Sequence, residues 1–213
     1  MRRGWLAILL LFSGCSTMGP QPEPVDPGLA WEVHEQQLHT IDHWNLHGRL
    51  GVRTDHRADS LSLNWSRAMA DHQINLFGIF GSGQTRITLN QHGAILEDAQ
   101  QNKFTAQTIA ELLRQQGGWE VPFEPLQYWI IGLPAPGPRD QFELDSIGRL
   151  KRLVQSGWEI TFIEYTQAGD LMLPKRLWIE ALPGTVSLVD AEGRDLGDTL
   201  NFQVVVGQWR DTP

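Results

Sequence analysis

The chain has 213 residues, with 17 basic and 25 acidic side chains and a formal net charge of −8. That length fits one ordinary globular domain or two small ones, and the acidic balance excludes a phosphate-neutralising nucleic-acid surface. The single cysteine, Cys15, excludes an internal disulfide framework and Cys-rich zinc or iron–sulfur sites, while 21 Gly and 12 Pro among apolar runs suit a turn-rich β protein.

The first element is an export signal. Arg2 and Arg3 precede eight unbroken apolar residues, Trp5 to Phe12, and then the small residues Ser13 and Gly14. A membrane-spanning helix takes about 18 apolar residues or more, so this run is a signal peptide, residues 1–14. Leu11-Phe12-Ser13-Gly14-Cys15 resembles the bacterial lipobox, with Phe12 where Leu is usual. The resemblance implies that Cys15 becomes the first mature residue, carries an S-diacylglycerol and an N-acyl chain, and is not a nucleophile. Loss of Arg2 and Arg3 takes the formal charge to −10, and Ser16, rather than Asp, after the cysteine implies the outer membrane. The proline-rich stretch 15–28 reads as a flexible tether, and 29–213 as the folded domain.

Apolar Leu29, Val33, Leu38 and Ile41 predict a short amphipathic helix over residues 29–41. From Trp44 the period becomes two: Trp44, Leu46, Gly48, Leu50 and Val52 alternate with polar or small residues, predicting a half-buried strand. Leu61, Leu63 and Trp65, then Ile74 and Leu76, then 85–89 and 94–97, continue an antiparallel meander. A helix capped by Thr105 or Thr108 runs to about Gln116, stopped by Gly117-Gly118, and a second covers 125–131. Strands resume at 142–144, 150–154, 158–165, 174–180, 185–189 and 200–209. The count is about eleven strands and three helices, without βαβ alternation or a fixed repeat.

Several motifs fall short of chemistry. His39, His43 and His47 are spaced by four, as on a zinc-binding helix, but strand periodicity starts at Trp44 and carries His47 off it. His34-Glu35 opens like HExxH, yet Leu38 stands where the second histidine belongs. Ser82 lies between Gly81 and Gly83, but a nucleophile elbow needs glycines where Phe80 and Gln84 stand. No phosphate-binding glycine loop is present, and nothing demands an enzyme. Eight tryptophans remain after cleavage, either as core or around a ligand cavity of a half-open barrel. Ile79 and Phe80, raised by flanking glycines in what reads as a hairpin tip, form an apolar knob or fold back into the core.

The residues then resemble the LolB family of outer-membrane lipoprotein receptors. The match comprises the lipobox; Trp44-Asn45-Leu46-His47-Gly48-Arg49-Leu50; Leu61-Ser62-Leu63-Asn64-Trp65; Val121-Pro122, Leu126, Trp129-Ile130, Gly132 and Pro134; Gly157-Trp158-Glu159-Ile160 with Tyr165; Leu173-Pro174-Lys175; and Trp209. A hairpin from about Leu182 to Thr199 is longer than usual for the family. The resemblance implies a mainly β fold: a single curved antiparallel sheet of about eleven strands, an incomplete β-barrel with a helical lid over an apolar cavity. It also implies an acceptor that takes lipoproteins, acyl chains first, from the periplasmic carrier LolA and inserts them into the inner leaflet of the outer membrane; such an anchored acceptor has no evident need to self-associate and is expected to be a monomer. This needs no ATP, no catalytic residue, no metal and no cofactor beyond the covalent lipid on Cys15. The family's exposed apolar loop residue, needed for delivery, falls on Phe80, with Ile79 in place of a proline. The alternation makes Leu61, Leu63, Trp65, Ile74 and Leu76 the expected cavity lining, joined by Leu112, Leu113 and Trp129 from the helices. A structural or glycan-binding envelope lipoprotein is the alternative, with tryptophans exposed as sugar-stacking platforms.

Overall fold

A computed structural model of the protein describes residues 26–78, 83–189, 193–210 and 212. Asp26 caps the first helix, α1 (Pro27–His39), its carboxylate accepting from Gly28 N and Leu29 N, with Pro27 at the first helical position. The helix thus begins two residues inside the stretch expected as tether and ends at Thr40. Its buried residues are Trp31 and Leu38, with Ile41 just beyond, whereas Leu29 and Val33 are exposed. The apolar spacing found the helix and its buried C-terminal end, Leu38 with Ile41 beyond, but misplaced the N-terminal half, where Trp31 is buried and Leu29 and Val33 are not. Trp31, with its larger surface, faces inward against Phe142 at 5.2 Å between ring centroids.

The strands are β1 (His43–Thr54), β2 (Ala58–Ala68), β3 (Asp71–Phe77), β4 (Gln84–Asn90), β5 (Gly93–Glu97), β6 (Lys103–Ala106), β7 (Gln141–Leu144), β8 (Leu150–Gln155), β9 (Trp158–Ala168), β10 (Leu171–Ala181), β11 (Leu188–Val189), β12 (Asp195–Gly197) and β13 (Leu200–Arg210). Two further helices, α2 (Ile109–Gly117) and α3 (Phe123–Trp129), lie between β6 and β7. Eleven strands form one open antiparallel sheet in the order β6-β5-β4-β3-β2-β1-β13-β10-β9-β8-β7. Sequence periodicity reached the same number by a different membership. Lys103–Ala106 forms an edge strand just before the helix cap, while the 185–189 segment leaves the sheet and its last two residues pair with Asp195–Gly197 in a separate ribbon. This ribbon is the lengthened hairpin of the sequence.

The topology dictates the lid. The chain leaves one sheet edge at β6 and must reach the other at β7, so residues 107–140, carrying α2 and α3, cross the open side. The register also sorts the turns into two ends. The β1–β2, β3–β4, β5–β6 and β8–β9 turns and the start of β13 lie at one end, called the rim. Opposite, at the base, lie the β2–β3, β4–β5, β7–β8 and β9–β10 turns and the entry to β1. There α1 packs beside the β7–β8 turn, where a Cβ on Gly148 would lie 2.5 Å from the Ala30 Cβ.

At the seam between β1 and β13 the register slips at His47/Gly48, and a Cβ on Gly48 would stand 2.3 Å from the Val205 carbonyl oxygen. Only glycine allows that approach. Nearby, Trp209 Nε1 donates to the Pro174 carbonyl at 3.0 Å, at a bulge that takes Lys175 out of the backbone register with β9, though its Nζ reaches Glu164 of that strand at 2.6 Å.

Candidate functional site

The concave face of the sheet builds one apolar wall from cross-strand rows. Leu46, Trp65, Ile74, Ile87 and Leu96 stand in register across five strands, and Leu63, Leu76 and Thr85 form the row beside them. Val204 extends the wall across the seam opposite Leu50, and Phe202 does so opposite Val52. Against it the lid presents Ile109 and Leu113 of α2, then Trp119, Val121, Phe123, Leu126 and Ile130. Between sheet and lid lies a cavity of about 140 Å³. Its wall holds Thr85 and one charged pair, Arg57 and Asp59, at the rim. Arg57 Nη2 donates to Asp59 Oδ1 at 3.1 Å.

Leu61, Leu63, Trp65, Ile74, Leu76 and Leu113 line this cavity. Leu112 and Trp129 do not: both are fully buried, but in the packed core. On α2 the positions four apart, 109 and 113, face the cavity, which turns Leu112 aside. Trp129 is aimed elsewhere by a hydrogen bond, its Nε1 donating to Gln155 Oε1 at 3.0 Å. The far-strand lining (Ile87, Leu96, Phe202, Val204) follows the same alternation and was open to sequence reasoning. Trp119 and Val121, in the irregular link between the lid helices, have no periodicity that could have marked them.

Sequence reasoning also missed the polar side chain that ties the lid down. Gln155, at the rim end of β8, is buried; its Oε1 accepts from Trp129 Nε1 and from Ala135 N at 2.9 Å, and its Nε2 donates to Ala135 O at 2.7 Å and Pro138 O at 3.2 Å. Two donors and two acceptors are thus satisfied. At the other end of the lid, Thr108 Oγ1 accepts from Glu111 N at 3.1 Å, and Gly118, at φ 67°, reverses the chain after α2. Under α3, Trp65 Nε1 donates to His72 Nδ1 at 3.2 Å, and the His72 ring meets Phe123 edge-on at 5.3 Å. Burial, and then the Arg67 charge, lower the His72 imidazole to about 4, which keeps it neutral as the acceptor of that bond.

The rim is stitched together. Thr54 Oγ1 accepts from Arg57 N at 3.2 Å, and Asp55 Oδ2 accepts from Asp198 N at 3.0 Å and Thr199 N at 3.1 Å, so the β1–β2 turn is bound to the start of β13. Hydrogen bonds from Thr199 hold the Asp55 carboxyl below its usual range. The stem of the β3–β4 loop stands on this rim: Gly78 N donates to Gly83 O at 3.1 Å, and a Cβ on Gly78 would contact Leu61. Ile79, Phe80 and Ser82 lie outside the described residues, as does Cys15. The histidines of the four-residue spacing do not converge: His39 ends α1, His43 Nδ1 pairs with Asp42 at 2.6 Å, and His47 Nδ1 bonds Asn64 Oδ1 at 2.7 Å.

An open antiparallel half-barrel, bridged edge to edge by helices over an apolar cavity, defines the class: a lidded half-barrel. A solved LolA superfamily protein from Nitrosomonas europaea shares this fold, with a TM-score of 0.52, 9% identity, and coverage of 87% of this chain and 94% of its own. Residues 42–209 match the model of the family described as outer membrane lipoprotein LolB. The LolB of Stutzerimonas stutzeri is 34% identical over 194 residues, covering 89% of this chain and 94% of the relative. That of Chromohalobacter salexigens is 34% identical over 199 residues, 92% of each. The chain belongs to the LolB family. It is accordingly an outer-membrane lipoprotein with a part in lipoprotein localisation.

Proposed function

We propose that this protein is the acceptor that takes acylated lipoproteins from a LolA-type carrier, shelters their acyl chains in the cavity, and releases them into the inner leaflet of the outer membrane. The observation that carries this reading is the cavity itself: an apolar wall roofed by a segment joined to the sheet at two edges, with its single charged pair confined to the rim. Residues 1–14 serve as the signal peptide, and Cys15 carries the lipid anchor.

At about 140 Å³ the cavity is smaller than the roughly 300–1,000 Å³ of pockets that engulf a drug-sized ligand, so α2 and α3 lift to admit acyl chains. Transfer between two apolar pockets is close to isoergic and needs neither nucleotide nor catalytic side chain. Direction comes from a better fit in the acceptor and then from the bilayer, where each buried methylene contributes about 0.8 kcal/mol. Phe80, on the loop whose stem borders the cavity, enters the leaflet and opens the path.

The sugar-platform alternative asks for exposed rings, whereas Trp31, Trp44, Trp65, Trp129, Trp158 and Trp209 are all buried. The deciding experiment mixes the soluble domain lacking Cys15 with carrier loaded with radiolabelled lipoprotein and follows the label on a native gel. Label moving onto this protein supports the acceptor reading, and none moving to a folded domain ends it. Phe80→Glu should accept cargo yet fail to deliver it to vesicles, since a charge enters hydrocarbon only at a cost of several kcal/mol. Ser82→Ala should change neither step.

A further inference from the structure

Of the exposed large apolar side chains among the described residues, the four most exposed gather at the base of the half-barrel. They are Met69 at 65%, Leu29 at 63%, Val33 at 58% and Ile147 at 52%. Single exposed apolar residues are ordinary, so the arrangement carries the weight. Leu29 and Val33 lie four apart on the outer face of α1. The β7–β8 turn carrying Ile147 rests on the N-terminal turn of that helix, where a Cβ on Gly148 would meet the Pro27 carbonyl oxygen at 2.7 Å and Trp31 N at 2.8 Å. The β2–β3 turn rests at its other end, Met69 N donating to Asp42 O at 2.7 Å just beyond the helix. Met69 itself occupies a left-handed position, φ 57°, that Asn or Gly would fill more cheaply at a hairpin tip. Folding does not call for methionine there.

The chain leaves the described region at Asp26, the cap of this same helix, eleven positions from Cys15. Fully extended, that stretch reaches at most about 40 Å. The chain toward the anchor thus leaves the domain at the base, and we infer that the base is a lipid-contacting face, with Leu29, Val33, Met69 and Ile147 seated in the bilayer surface. This rests on the reading of Cys15 as the anchor. Glu32 and Glu35 lie on the same helix, so the contact is made by apolar insertion and not by attraction to anionic headgroups. Because the cavity rim is at the opposite end, a protein seated on its base turns its mouth toward an arriving carrier, and the delivery step of the proposed function then has the domain turn over on its tether so that the β3–β4 loop at the rim meets the leaflet.

The test uses the full-length lipidated protein in phosphatidylcholine–phosphatidylethanolamine vesicles. Cys15 is the sole native cysteine and is blocked by its thioether, so Val33→Cys, Met69→Cys and, at the rim, Gln100→Cys each give one site for a spin label. Labels at 33 and 69 should be several-fold more accessible to oxygen than to a water-soluble nickel complex, with the label at 100 showing the reverse. The Leu29→Glu/Val33→Glu double variant should return the label at 69 to the aqueous pattern. Labels at 33 and 69 as water-exposed as that at 100, on protein that sediments with the vesicles, overturn the inference while leaving the anchor intact. Protein that fails to sediment, with Cys15 open to thiol reagents, overturns both. Protection of residue 33 only when a loaded carrier is added would make this face a carrier-docking surface and overturn the lipid assignment.

Discussion

Gln155 holds the lid by four hydrogen bonds in a site closed to water, and the physics of such a group is lopsided. Each bond made adds little, but removing the amide strands Trp129 Nε1 and the Ala135 peptide without partners. Gln155→Leu should therefore cost about 2–4 kcal/mol in denaturant unfolding, and Trp129→Phe, which removes one donor and leaves a cavity where part of the buried indole stood, should cost about 2–3 kcal/mol. His72 offers a second residue-scale test. Its unfolded-state value is the ordinary 6.5 and its folded value about 4, so the folded protein holds the neutral form. That stabilisation is complete above pH 6.5 and is lost as pH falls toward 4. His34, also lowered by burial, works in the same direction. The carboxyl groups with lowered values titrate below their ordinary 3.8 to 4.5, outside the interval from pH 7 to 5. The midpoint of thermal unfolding should fall between pH 7 and 5, and His72→Gln should flatten the fall by removing one of the two imidazoles. An unchanged slope would show that Trp65 does not depend on a neutral acceptor.

Among the elements, the lid is the one whose motion the proposed function requires, and Gly118 governs the turn between its two helices. At φ 67° an alanine is strained, so Gly118→Ala should destabilise the closed lid by about 1 kcal/mol and speed uptake of a fluorescent fatty acid more than it lowers global stability. On the sheet, Leu63→Asp should abolish probe binding outright, since it places a carboxylate in the middle of the wall. The strand wall was legible in advance because alternation at Leu61, Leu63, Trp65, Ile74 and Leu76 repeats a face every second residue. Helix orientation was not, because Leu112 and Leu113 differ by a rotation of only about 100° and tertiary packing decides between them. The same ambiguity chose Trp31 over Leu29 and Val33. Gln155 was illegible for another reason: its four partners lie 17 to 26 positions away, beyond any local spacing rule.

At the scale of the molecule, charge and topology make the remaining demands. On the proposed function, removal of residues 1–14 takes the formal charge of −8 to −10, which favours a donor with a basic rim, so transfer from the carrier should slow several-fold between low and physiological salt with little change in the amount finally transferred. A rate indifferent to salt would place recognition in apolar contacts instead. The seam of β1 with β13 joins Asn45 to Arg210 at the middle of the sheet, and the cavity wall runs across it, Leu50 facing Val204. Such a pairing has the longest loop to close in the chain, and closure must wait for the last eleven residues of strand. During export, the six strands on one side and the four beyond the seam are therefore two unfinished meanders, each with an apolar face and neither with a container. The cavity arises in a single late step, when the C-terminal strand slots between them, and on the proposed function a chain cut short of residue 200 should hold no lipid however well its remaining strands pair.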